Sequence, residues 1–308
     1  MRKYFMIFCF LIFSFNIFSQ EIYKNKMRDL IRELRENTSK DKIIITQNGN
    51  SIYFNNGNID EEFFQVTNGT TQESLFYGDE LKFNKQTSLK LKNELLDMII
   101  PIRRSGKVVL TINYGIGENT KKNLENESKK FNFVNELLPS FEAKEIYKPV
   151  KEFNQNDINS LSDAKNFLCL LNPENFKNLE EYMKALKNTD FDILLIEPSI
   201  NGKFFSKNQI ENLKKKSSGN RRLVIAYFSI GEAEDYRYYW EKSWNDKYPD
   251  WIVEENKDWS GNYIVKYWNN EWKKIIKNYQ KKLDEIGVDG YLLDTVDTFY
   301  YFEERGLK

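Results

Sequence analysis

Residues 193–229 read ILLIEPSINGKFFSKNQIENLKKKSSGNRRLVIAYFS. Two unbroken apolar runs, Ile193-Leu194-Leu195-Ile196 and Leu223-Val224-Ile225-Ala226, flank a segment from about Ser206 to Lys216 with helical spacing. Strands apolar on every residue are strands buried on both faces, and a helix between two of them makes them parallel. The same alternation extends both ways. Strands are predicted at Lys42 to Thr46, Glu61 to Thr67, Lys107 to Asn113, Phe167 to Leu171, Asp192 to Ile196, Arg222 to Ser229, Asn262 to Lys266 and Val288 to Asp294. Helices are predicted at Tyr23 to Glu36, Ser88 to Arg103, Asn119 to Lys130, Glu174 to Lys187, Ser206 to Lys216 and Asn270 to Ile286. Eight buried strands favour an α/β fold of the (β/α)8 TIM-barrel type.

The cycle is shifted: the chain starts with a helix and ends with a strand, the order of a circularly permuted barrel. The first helix then covers the last strand, and closure pairs the strand ending at Asp294 with the one at Lys42 to Thr46. Residues 21–308 are expected to form this one domain. Residues 142–163, polar and weakly periodic with Pro149, read as the linker joining the original ends.

Ahead of it, Arg2 and Lys3 precede an apolar stretch from Tyr4 to Phe15 and then Ser19, the pattern of a secretory signal peptide over residues 1–20. The stretch is shorter than the roughly twenty residues of a spanning helix. Cleavage near Ser19 or Gln20, a secreted or periplasmic product and no membrane attachment after cleavage are expected. Cys9 leaves with the signal, and Cys169 alone permits no internal disulfide. Lys plus Arg (46) equals Asp plus Glu (46), with no basic run interleaved with exposed aromatics, so nucleic acid is not an expected partner. Lys214-Lys215-Lys216 reads as a helix end, where cations are favourable. The absence of histidine removes Ser-His-Asp and Cys-His nucleophiles and histidine-ligated zinc.

Carboxylates, tyrosines and lysines remain. In a barrel they act where strands end, and those places are acidic: Glu73, Glu197, Glu232, Glu234, Asp235, Asp294 and Asp297. An acid after a strand also serves as a helix cap, and Asp235 and Asp297 suit either role. Glycoside hydrolysis needs two carboxyl groups, one attacking or activating water and one protonating the leaving oxygen. Asp294 and Glu73 are a candidate pair that barrel closure brings to strands two apart. All six tryptophans fall between Trp240 and Trp272. Trp244, Trp251 and Trp259, in polar surroundings, suggest a sugar-stacking wall, whereas Trp268 and Trp272 suit core or wall equally. An acidic groove would attract a cationic polymer.

At Ala226-Tyr227-Phe228-Ser229-Ile230-Gly231-Glu232-Ala233-Glu234-Asp235-Tyr236-Arg237 the chain resembles glycoside hydrolase family 114, the endo-α-1,4-polygalactosaminidase type of barrel. The likeness continues at Val265-Lys266-Tyr267-Trp268 and Gly290-Tyr291-Leu292-Leu293-Asp294-Thr295-Val296-Asp297. It resumes, out of order, at Ile45-Thr46-Gln47-Asn48-Gly49, Thr71-Gln72-Glu73-Ser74-Leu75-Phe76-Tyr77-Gly78 and Leu110-Thr111-Ile112-Asn113-Tyr114. The resemblance covers nearly all of the chain after the signal. It implies Asp294 as nucleophile, Glu73 as acid/base, and Glu197, Tyr227, Glu232 and Tyr114 as cleft residues. The implied activity is endo-hydrolysis of an α-1,4-linked galactosamine-containing polysaccharide with no metal or organic cofactor. A catalytically silent carbohydrate-binding barrel is the alternative, since a fold does not fix a function.

Overall fold

A computed structural model describes residues 21–306; the reading of residues 1–20 as a signal peptide lies outside the described residues. Eight parallel strands form the central sheet: β1 (Ile43–Gln47), β2 (Gly69–Glu73), β3 (Val108–Tyr114), β4 (Val134–Leu138), β5 (Phe167–Leu170), β6 (Ile193–Ile196), β7 (Leu223–Ser229) and β8 (Gly290–Asp294). Their spatial order is β4-β3-β2-β1-β8-β7-β6-β5, a nearly closed (β/α)8 barrel. Closure runs through β8 and β1, with Ile43 opposite Gly290 and Ile45 opposite Leu292. The helices are α1 (Glu21–Glu36), α2 (Glu61–Phe64), α3 (Leu89–Arg104), α4 (Glu118–Phe131), α5 (Leu179–Lys187), α6 (Lys207–Leu213), α7 (Asn270–Ile286) and α8 (Thr298–Arg305). The sequence reading had no counterpart of α8, which follows the last barrel strand; its Phe302 stacks on Tyr23 of α1 at 5.3 Å.

Two strand assignments are corrected. Glu61 to Thr67 is a helical turn, not a strand: Asp60 caps it by accepting from the Phe63 amide at 2.9 Å, and Phe63 and Phe64 are buried from that turn. The strand in this part of the chain is Gly69–Glu73, whose threonines are buried because they bond across the barrel wall, Thr46 to Thr70 at 3.0 Å. Asn262–Val265 is a strand outside the barrel, in a three-stranded antiparallel sheet with Glu232–Glu234 and Ile252–Glu255 that rises between β7 and α7. Its place among the eight belongs to Val134–Leu138.

Alternate residues of each strand fill the interior: Ile43 and Ile45, Leu110 and Ile112, Phe167 and Cys169, Ile193 and Leu195, Leu223 and Ile225, and Leu292 pack together. The opposite parity packs under the helices. At the floor, Gly290 tolerates no side chain because a Cβ would overlap the Ile43 carbonyl. Leu161, from the passage between β4 and β5, comes up against Gly69 and joins the interior with Ile158 and Ala164.

Strands β4 and β5 are the two ends of the sheet and share no ladder. The buried Glu136 carboxyl spans this seam, accepting from Val150 N at 2.9 Å and Phe167 N at 3.3 Å. Below it a buried ion pair fastens the passage: Lys216 donates to Asp192 at 2.7 Å and to the carbonyls of Asn154 and Asn156 at 2.9 and 3.0 Å. Asp192 also accepts from Asn154 and from Lys165 N. Lys216 is therefore not the helix-end cation that the sequence suggests; α6 stops at Leu213 and this ammonium is fully buried.

Candidate active site

The interior parity, followed upward, ends in polar groups. Above the apolar layers stand Gln47 on β1, Glu73 on β2, Tyr114 on β3, Tyr227 on β7 and Asp294 on β8, with Glu197 just past β6. Residues two apart on a strand face the same way, so these side chains share the C-terminal mouth. The chain bends sharply past three neighbouring strands. Asn48, Ser74 and Thr295, each following its strand directly, have φ of 53°, 49° and 58°. Left-handed backbone is uncommon outside glycine, and for β-branched Thr295 it is a real strain, of a kind that clusters at functional sites. The bends carry the loops aside and leave Glu73 and Asp294 facing the mouth. Gly49 continues the first bend with φ 58°, and a Cβ there would lie 3.1 Å from Asp297 N.

Each carboxyl is held by a tyrosine and a second donor. Glu73, buried, accepts from the Tyr114 hydroxyl and from Asn48 Nδ2 at 2.8 Å. Asp294, partly buried, accepts from the Tyr227 hydroxyl at 2.8 Å and from Thr295 N at 2.8 Å. Thr295 is itself fixed, its Oγ1 accepting from Gly231 N at 2.8 Å. Burial raises the Glu73 carboxyl above its ordinary range. Burial, then the neighbouring Asp297 and Glu73, hold Asp294 well above its own. Asp297 is pushed up to about 6 by burial and by Glu73. Three acids therefore repel one another across one mouth, and their protons belong to the set.

The remaining candidates divide. Glu232, buried, accepts from Asn256 at 2.9 Å and is raised to about 7, chiefly by burial. Glu197 is held in an ion pair: Arg237 lies 2.7 Å from it and 2.6 Å from Glu234, and Ser199 donates to it at 2.7 Å. The guanidinium also lies 5.6 Å from the centre of the Tyr227 ring. The tryptophan wall is corrected in part. Trp251 is 2 % exposed and belongs to the core, and Trp244 packs on Trp240 and Trp251 at 5.2 and 5.1 Å, half-buried against that core. Trp272 is buried as well. Trp259, half-buried, sits in the turn that presents Asn256 to Glu232. Sequence reasoning assigned no role to Asn48, Thr295 or Arg237. The one available signal was the Asn48-Gly49 pair directly after a strand, a turn signature.

A parallel β/α barrel with paired, tyrosine-held carboxyl groups at the C-terminal ends of its strands carries the two groups that glycoside hydrolysis needs. The model of glycoside-hydrolase family GH114 matches residues 151–308, about half of the chain, and the chain belongs to that family. Similar proteins are an uncharacterized protein of Methanocaldococcus jannaschii, 40% identical over 157 residues, covering 50% of this chain and 43% of that one, and an uncharacterized protein of Thermotoga maritima, 36% identical over 140 residues, covering 43% of each. The chain thus spans less than half the length of the curated relatives it matches.

Proposed function

We propose that this protein is a secreted, endo-acting glycoside hydrolase using Asp294 and Glu73, with an α-1,4-linked galactosamine-containing polysaccharide as substrate. The observation that carries the reading is the pair of inward carboxyl groups, on strands two apart, each oriented by a tyrosine hydroxyl. Burial favours a proton on each of the two carboxyls; we place it on Glu73, as the family resemblance implies, the form needed to protonate a leaving glycosidic oxygen. Once Glu73 carries that proton, one of the two charges opposing Asp294 is gone, while the Tyr227 and Thr295 donors go on favouring its carboxylate. Asp294 then attacks the anomeric carbon or, at wider separation, activates a water that does so. With Glu73 protonated, the Asp294 carboxylate and Asp297, whose carboxyl is raised only to about 6, give the mouth a negative field that attracts amino-sugar cations.

The test is product release from partially deacetylated α-1,4-galactosamine polymer by the parent, Glu73→Gln and Asp294→Asn. Oligosaccharides from the parent and none from either variant support the reading. No products from a cooperatively folding parent overturn it and favour a binding protein on the same barrel, in which either substitution leaves polymer affinity largely intact.

A further inference from the structure

We infer that Phe83, backed by Phe141, is a stacking platform for a sugar ring of the glycan, on the far side of Glu73 from Asp294. The inference deepens the proposed function and rests on it for the identity of the polymer. Its basis is an aromatic stack running from the surface down to the site. The Phe83 ring lies 4.5 Å from Phe141 at 32°, Phe141 lies 4.5 Å from Tyr114 at 35°, and the Tyr114 hydroxyl donates to Glu73. Tyr114 and Phe141 are buried, whereas Phe83 covers them with one face and remains 44% exposed. Ile116, 60% exposed on the adjoining loop, extends the apolar surface. A single exposed apolar residue is ordinary, but this one is held rigidly at considerable local cost.

The loop carrying Phe83 has left-handed backbone at three non-glycine positions: Glu80, Leu81 and Asn84, with φ of 50°, 55° and 59°. It is tied at both ends, Gly78 N to Lys85 O at 2.9 Å and Asn84 N to Tyr114 O at 3.2 Å. The Asn84 side chain accepts from Ile116 N at 2.8 Å and Thr120 at 3.2 Å. Gly115 is needed there, since a Cβ would overlap Asn84 Oδ1. Strain retained in a tightly tied loop marks a preorganised contact rather than a loose one. The ligand follows from the position. Around the barrel the order is Asp294 on β8, then β1, Glu73 on β2 and Tyr114 on β3, with Phe141 beyond β4. A chain lying across both carboxyls continues over Phe83, and the platform takes the leaving-group side if Glu73 is the acid. An aromatic face accepts the C–H face of a pyranose and leaves its hydroxyl and amino groups to water.

The experiment compares the parent with Phe83→Ala and Phe83→Tyr on the same partially deacetylated galactosamine polymer. Phe83→Ala is expected to raise KM about tenfold with kcat within about twofold, the scale of one lost aromatic contact, and Phe83→Tyr to keep the parent KM. Removal of a merely structural cap would lower the melting temperature instead, and an unchanged KM in Phe83→Ala overturns the platform. If the parent releases no product, the hydrolase reading fails separately. Polymer affinity by calorimetry on Glu73→Gln, with and without Phe83→Ala, then decides the platform: about tenfold weaker binding sustains it, and equal affinity or no binding by either protein overturns it.

Discussion

Substituting Tyr227 by Phe removes one atom from the site and tests which carboxyl must be ionised. The lost contact is the 2.8 Å hydrogen bond from the phenol to Asp294 Oδ2. The ring itself stays, buried in the barrel mouth beside Arg237, so folding should be unaffected. Hydrogen bonds to charged groups contribute about 1.5–3 kcal/mol, and about 1.4 kcal/mol is tenfold, so the Asp294 carboxylate becomes roughly ten to 150 times less favoured over its protonated form. If Asp294 acts as carboxylate, this factor falls on the acid limb of the pH–rate profile. kcat/KM at low pH drops by that amount, the limb moves to higher pH, and the loss shrinks on the plateau. The assay is the kcat/KM profile of parent and variant on a glycan that the parent cleaves. A displaced alkaline limb with an unmoved acid limb would refute the reasoning, because Asp294 would then be the proton donor.

Asp297→Asn should act with the opposite sign: removing a negative neighbour that holds Asp294 up favours its carboxylate, so the acid limb moves to lower pH, and an unmoved limb counts against the coupling. Lys216→Met should cost about 3–5 kcal/mol of stability, the toll of leaving one partner of a buried ion pair uncompensated, because Asp192 and the Asn154 and Asn156 carbonyls all lose their donor. Urea unfolding measures this, and a loss under about 1 kcal/mol would contradict it. Specific activity at 25 °C should stay at the parent level, since the pair lies at the opposite end of the barrel from the carboxyls.

Strand-end chemistry was legible where apolar runs end in an acid. Tyr291-Leu292-Leu293-Asp294 announces both the strand and its exposed end, and the closure of β8 on β1 follows from the order of helices and strands. Polar strands were not legible. Val134–Leu138 hides behind Asn135 and Glu136, whose partners are distant: Asn135 accepts from Thr111 at 2.6 Å and donates to the Leu124 carbonyl at 3.1 Å, while Glu136 serves two amides across the seam. No local pattern reveals such satisfaction. Asn262–Val265 misleads the other way, because a short apolar run looks alike whether its neighbours are parallel or antiparallel. The tryptophans, read from their polar neighbours, turned largely into core because packing beneath the antiparallel sheet needs bulk. Phe83 drew no attention, since only the fold reveals that Phe141 and Tyr114 stand in line beneath it.

The unladdered seam gives the molecule a natural parting line. Residues 21–138 and 167–306 meet there only through side chains and through the passage that bridges them, whereas on the far wall they are zipped together along β1 and β8. Asp294 belongs to one half and Glu73 to the other. Severed within the passage, the molecule would become a heterodimer whose two halves each hold one member of the carboxyl pair, so turnover would report their association and would vanish on dilution below their dissociation constant. Such a split enzyme would serve as a proximity sensor, with the β1–β8 zipper as its adjustable clasp.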